Sequence, residues 1–257
     1  MNVDNPYSTF TWLAGLETFR CLSPHNLHAW RVMLPLDDDV FHKLKLNLSE
    51  DEHIKANQFY AANDKIRYII TRGILRELLS RYLNIRPHHI QFSYNLYGKP
   101  YLQNNLEFNI THSNHCIMLA FSMNIPIGVD IEFCKNDFNP LLIAQDFFST
   151  NEYDKLLSLP PEMRHLAFYR CWTRKEAIIK AMGKGLAFPL SKLDVTLLPA
   201  EKPKLIKLET NDIDSGGWHL IEIKPHLNYI GAIATSGEIN SVSYYDWNCL
   251  KIEVQTL

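Results

Sequence analysis

Two Ser-x-x-Glu capping boxes punctuate this chain, Ser49-Glu50-Asp51-Glu52 and Ser149-Thr150-Asn151-Glu152. Such a box satisfies two backbone donors that a helix start leaves bare, so each marks where helix begins. The first opens a helix through Phe59-Tyr60, and a longer one follows over residues 64–83, with Ile66, Ile69, Ile70, Ile74, Leu75, Leu78 and Leu79 on its buried stripe. Strands are expected at 28–34, 90–94, 107–110 and 116–122, with a turn at Tyr97-Gly98-Lys99-Pro100. Pro35 and the three aspartates after Leu36 read as a break. After the second box the plan repeats. A helix spans 161–182, with Pro161 in its permitted first turn and Gly183-Lys184-Gly185 as its stop. Strands follow at 193–198, 218–224, 229–235 and 241–245, and the arms 116–122 and 229–235 hold equivalent places. This order predicts an α+β fold of two pseudo-symmetric halves, residues 1–126 and 127–257, each with helices packed on a small antiparallel sheet. Residues 1–26 show little periodicity and are expected to wrap over the surface.

The join near residue 126 precedes Gly128-Val129-Asp130-Ile131-Glu132. Ile127, Val129 and Ile131 alternate with Gly128, Asp130 and Glu132, which reads as a strand with both carboxylates on one face, about 7 Å apart. Two like charges that close are costly in a poorly solvated place unless a cation or proton joins them. On the second long helix, Trp172, Glu176 and Lys180 recur every four residues along one side. Three carboxylates and an ammonium are what a site needs to hold Mg²⁺ and a phosphate together, because hard oxygen ligands suit Mg²⁺ and lysine presents a point charge to a phosphate oxygen. A strand at a seam between halves also sits where ligand clefts prefer to form.

Each feature alone has an ordinary explanation. Glu176 and Lys180 at i,i+4 make a solvated helix pair worth about 0.2–0.5 kcal/mol. An Asp-x-Glu strand is often a wet edge. Their conjunction with His112 in Asn109-Ile110-Thr111-His112-Ser113, with Lys99 and with Arg67 shifts the balance toward a site. His112, His115 and Cys116 match no zinc spacing, and Trp172 reads as core. There is no Gly-x-x-x-x-Gly-Lys-[Ser/Thr] phosphate loop and no Gly-x-Ser-x-Gly nucleophile elbow.

The 26 basic and 28 acidic side chains give a net charge of −2, so no global field draws in nucleic acid or an anionic membrane. Five cysteines, odd in number and without a Cys-x-x-Cys pair, argue against a disulfide framework. Asp4 and Glu17 interrupt any signal-peptide pattern, and no apolar run could span a bilayer. A cytoplasmic protein is expected. A Mg²⁺ nuclease would use similar residues, but the neutral charge disfavours it; a binding module without turnover would not need all three carboxylates.

Taken together and in order, the motifs resemble the Sfp-type 4′-phosphopantetheinyl transferases over about residues 50–235. Phe59-Tyr60 through Arg67, with Gly73-Ile74-Leu75-Arg76, looks like that family's first helix. Tyr97-Gly98-Lys99-Pro100 and Phe108 through Ser113 look like its next two motifs. Gly128 through Glu132 resembles its metal strand, and Trp172 through Lys180 with Gly183 through Leu186 its signature helix. The resemblance implies coenzyme A in the cleft between the halves, with Mg²⁺ on its pyrophosphate. It implies Asp130, Glu132 and Glu176 as metal ligands, and Lys180 on a phosphate with a part in catalysis. Thr111 and His112 would meet phosphates, and Lys55, Arg67 and Lys99 the nucleotide end. Glu152 would be the base on the acceptor serine. The implied reaction is attack of a serine of an acyl or peptidyl carrier protein on the β-phosphate of coenzyme A, releasing 3′,5′-ADP, by a monomer.

Overall fold

The computed structural model describes residues 11–14, 22–209 and 217–249. The first half holds strands β1 (Leu13–Ala14) and β2 (Asn26–Met33), then helices α1 (Asp38–Leu46), α2 (Glu50–Asn57) and α3 (Ala62–Leu83). A small hairpin, β3 (Ser93–Tyr94) with β4 (Pro100–Tyr101), precedes β5 (Leu106–Ser113) and β6 (Cys116–Met123). The same series recurs as β7 (Ile127–Phe133), α4 (Pro140–Phe147), α5 (Thr150–Ser158) and α6 (Pro161–Met182), a hairpin of β8 (Leu193–Val195) and β9 (Leu205–Leu208), then β10 (His219–Ile223) and β11 (Tyr229–Thr235). Strand β12 (Ser241–Asp246) ends the series.

Antiparallel order β2-β6-β5 in one sheet matches β7-β11-β10 in the other. The two sheets pack face to face. Leu27, Ala29, Met118 and Ala120 meet Val129, Ile131 and Ile233 in a dry core between them. Each sheet's other face meets its own helices: Trp30, Leu119 and Phe121 pack with α3, and Ile230, Ala232 and Ala234 with α6. Strand β11 is therefore buried along its whole length, and its sequence is apolar at nearly every position rather than alternating.

Several elements differ from the sequence expectation. Strand β12 returns to the first half and pairs in parallel with β2, so the assignment of everything after residue 126 to the second half fails for it, and that sheet is mixed rather than purely antiparallel. The aspartates read as a break instead start α1, where Asp38 and Asp39 complement the positive end of the helix. Helix α4 begins at Pro140, with the Asn139 side chain accepting from the Leu141 amide at 3.1 Å. Residues 87–89 form a 3₁₀ turn, and of the expected strand over 90–94 only β3 forms. Strand β5 runs on to Ser113, so Thr111 and His112 lie within a strand. Of residues 1–26, expected to wrap the surface, most lie outside the described residues.

Candidate active site at the seam between the halves

Strand β7 is the edge of its sheet, which leaves a row of backbone groups without a strand partner. Side chains of the first half cover them. Asn109 accepts from the Val129 amide at 2.9 Å, and Ser113 accepts from the Phe133 amide at 3.0 Å. The Lys99 ammonium donates to the carbonyls of Ile127 (3.1 Å) and Ala181 (3.3 Å), bolting the Gly98-Lys99 turn to the end of α6. These contacts hold the two halves in register along β7.

The other face of β7 meets α6. Gly128 makes that approach possible: a Cβ there would lie 2.0 Å from the Ala177 carbonyl oxygen and 2.4 Å from the Ala181 nitrogen. With strand and helix backbones this close, Asp130 and Glu132 from β7 and Glu176 and Lys180 from α6 share one recess. Lys180 Nζ donates to Asp130 Oδ1 at 2.6 Å, to Thr111 Oγ1 at 3.0 Å and to the Val129 carbonyl at 3.3 Å. Thr111 in turn donates to Asp130 Oδ1 at 3.2 Å, and Ser113 donates to Glu132 Oε2 at 2.8 Å.

The recess carries more negative charge than one lysine offsets. Burial raises the pKa of Asp130 against the pull of Lys180 and Thr111. Glu132 and Glu176 are raised by burial first and by the Asp130 charge second. Asp130 Oδ2 and Glu176 Oε1 are buried without a hydrogen-bond partner. Acceptors left bare like this are costly, and a cation would satisfy both. Among the described residues no three such side chains already stand as a ready-made metal cluster; Lys180 occupies one Asp130 oxygen and Ser113 one of Glu132. The donor set, hard carboxylate oxygens with two of them free, suits Mg²⁺.

Other residues singled out in the sequence lie at varied distances from this recess. His112 is exposed beside it; its pKa is lowered by the surrounding protein, then by the charges of Arg67 and Lys180. Arg67 is half-buried on α3, 4.0 Å from Asp64. Lys55 is exposed on α2, its ammonium 5.8 Å from the centre of the Tyr68 ring. Burial lowers the Lys99 pKa, and its charge faces backbone carbonyls. Trp172 is half-buried, its ring against Phe147 and Phe168.

Glu152, expected as the base on the acceptor serine, is fully buried and paired with the equally buried Lys175. Its oxygens accept from the Ser149 amide at 3.0 Å and the Val195 amide at 2.8 Å. Both of its oxygens are thus bonded within the fold, closed off from solvent. Asn109, Ser113 and Lys175 were not singled out in the sequence. Period-two polarity in Asn109-x-Thr111-x-Ser113 is the signal that points to the first two; Lys175 shows none, because a lysine beside a glutamate on a helix looks like surface.

Residues 126–234 match the family described as the 4′-phosphopantetheinyl transferase superfamily, and residues 33–124 match 4′-phosphopantetheinyl transferase, N-terminal. The protein named 4′-phosphopantetheinyl transferase HetI, from Nostoc sp., is 35% identical over 232 residues, covering 88% of this chain and 94% of that one. The Bacillus subtilis 4′-phosphopantetheinyl transferases ffp and Sfp are 38% and 34% identical, each over 63% of this chain and 72% of theirs. The chain belongs to the 4′-phosphopantetheinyl transferase family, and it is an enzyme of that class.

Proposed function

We propose that this enzyme transfers the 4′-phosphopantetheine group of coenzyme A to a serine hydroxyl of an acyl or peptidyl carrier protein, with Mg²⁺ as cofactor and 3′,5′-ADP as the leaving product. The observation that carries this reading is the pair of buried, partnerless carboxylate oxygens on Asp130 and Glu176 beside the Lys180 ammonium. Asp130, Glu132 and Glu176 would hold the metal. A Mg²⁺ held there would supply positive charge to the pyrophosphate and to the departing phosphate.

The chain's own groups do the rest. Lys180 exchanges Asp130 for a phosphate oxygen, and Thr111, which already bonds Lys180, is placed to follow it. His112, its pKa lowered by burial first and then by the charges of Arg67 and Lys180, offers the phosphates a hydrogen bond. Arg67 and Lys55 would meet the nucleotide end, whereas Lys99, expected there, spends its ammonium on the carbonyls of Ile127 and Ala181. The serine oxygen bonds the β-phosphorus as the pyrophosphate oxygen leaves, so alignment and charge neutralisation supply most of the rate. The serine proton passes to a carboxylate that lines the recess, Asp130, Glu132 or Glu176, directly or through water, rather than to Glu152, whose oxygens are engaged within the fold.

Both walls of the recess come from one chain, which supports action as a monomer. Among the described residues no helix is long and apolar enough to cross a membrane, and the described cysteines are unpaired, which supports a reducing, cytoplasmic setting. The test is intact-mass analysis of an apo carrier protein incubated with this enzyme, coenzyme A and Mg²⁺. Gain of one phosphopantetheinyl group, lost on adding EDTA, is expected. No gain across fatty-acid, polyketide and peptide carriers would refute the reading.

A further inference from the structure

We infer that the buried Glu152–Lys175 pair is a positioning element, which sets the rotation of α6 about its axis and so aims Glu176 and Lys180 at Asp130. The inference rests on the reading of the recess given above. Both side chains are 0% exposed. The Lys175 ammonium spends its donors on Glu152 and on the carbonyls of Leu190 (2.8 Å) and Leu193 (2.7 Å). Glu152 spends its oxygens on Lys175, Ser149 and Val195. Neither group has a free atom for a substrate.

The contact between α6 and β7 is close and made by small residues, with Gly128 against Ala177 and Ala181, so polar anchors beside it fix the helix: Arg170 and Arg174 on Glu222, and Lys175 on Glu152. Lys175 is fixed by Glu152 of α5, by Leu190 in the segment between α6 and β8 and by Leu193 of β8, and successive helix residues differ by about 100°. Holding Lys175 therefore holds Glu176, one residue on, and Lys180 on the next turn.

The first half supports this with a second copy. Glu52, the capping-box glutamate there, bonds Arg76 at 2.5 Å. Arg76 and Lys175 each stand fourteen residues after the start of a long helix, at Ala62 and Pro161, and Glu77 and Glu176 come next. The pair therefore belongs to the scaffold, and only in the second half does the helix it fixes carry groups of the recess.

The test compares Glu152→Gln, Glu152→Ala and Glu52→Gln in the full chain, reading carrier modification, Mn²⁺ affinity by electron paramagnetic resonance, and melting temperature. Glutamine keeps an acceptor for the Ser149 and Val195 amides. E152Q should lower kcat and Mn²⁺ affinity by about tenfold to a hundredfold, with KM for coenzyme A within about twofold. E152A should be worse. E52Q should lose comparable thermal stability, with kcat and Mn²⁺ affinity within about twofold of wild type. If E152Q does not fold, Glu152→Asp, which keeps the charge on a shorter arm, carries the same comparison. Equal kcat losses in E152Q and E52Q would reduce the pair to general stability. Abolished turnover in E152Q with Mn²⁺ binding intact would make Glu152 a proton acceptor after all. Unchanged kcat and Mn²⁺ affinity in E152Q would also overturn the inference. An inactive wild type would remove the functional reading and this inference together, whereas an active wild type with any of those patterns removes the inference alone.

Discussion

Strands β2 and β7 occupy matching places in the two halves, since Met33 pairs with the first residue of β6 and Phe133 with the first residue of β11. Three residues back from each stands Trp30 in one strand and Asp130 in the other. Trp30 is buried, stacked on Tyr245 with ring centres 4.4 Å apart, and its indole N–H donates to the Tyr82 hydroxyl at 3.0 Å. Tyr245 arrives on β12, the strand that returns to cover the edge of β2. The edge of β7 receives side chains of β5 instead of a strand. Each long helix also carries a glutamate–cation pair four residues apart: Glu77 with Arg81 at 3.0 Å, and Glu176 with Lys180. In the second half Lys180 has turned to Asp130. One scaffold thus gives an aromatic plug where a strand closes the edge, and a charged recess where it stays open.

The largest effect that would test this contrast is on turnover. Asp130→Asn or Glu176→Gln should cost about a thousandfold or more in kcat with a normal melt, because each removes a charge that the metal and phosphate need. The matching Glu77→Gln should stay within about twofold of wild type in the same steady-state assay. An active Glu176→Gln enzyme would erase the difference between the halves.

Next comes the plug. Trp30→Ala should destabilise the fold by about 3–5 kcal/mol in denaturant titration, with the recess chemistry kept in the folded fraction. Loss of activity in well-folded Trp30→Ala would mean that the plug shapes the recess directly. A smaller change is expected from Lys180→Ala, which should lower kcat and coenzyme A affinity each by about tenfold. Unaltered kinetics would return Lys180 to the role of a surface pair.

The smallest effect is on thermal stability. Because Asp130, Glu132 and Glu176 have raised pKa values in the fold, the folded chain holds these protons more tightly than the unfolded one. Their penalty is absent below the ordinary carboxylate range, sets in as pH rises through the raised values, and is full above them. Mg²⁺ should therefore raise the melting temperature by a few degrees at pH 7.5 and by less at pH 5. Equal shifts at both values would place the ion elsewhere.

Much of this was legible in the chain itself. The capping boxes, the two long helices and the alternating strand at 127–132 are local patterns, and local hydrogen bonding and side-chain periodicity decide them. The destination of β12 was not legible, because Ser241–Asp246 carries nothing in its own sequence to say which sheet it joins. Helix α1 was hidden by aspartates that favour a turn and a helix start equally well. In the recess, Asp130, Glu132, Glu176 and Lys180 could be named from spacing. The role of Glu152 could not be, because a capping-box glutamate gives no hint in sequence of the buried lysine it meets 23 residues later.

The most direct measurement is anomalous diffraction from crystals grown with coenzyme A and Mn²⁺. The account predicts a single strong peak among the carboxylates of Asp130, Glu132 and Glu176, with Lys180 turned from Asp130 to a phosphate oxygen. A peak elsewhere, or coenzyme A bound with the Lys180–Asp130 pair still closed, would contradict it.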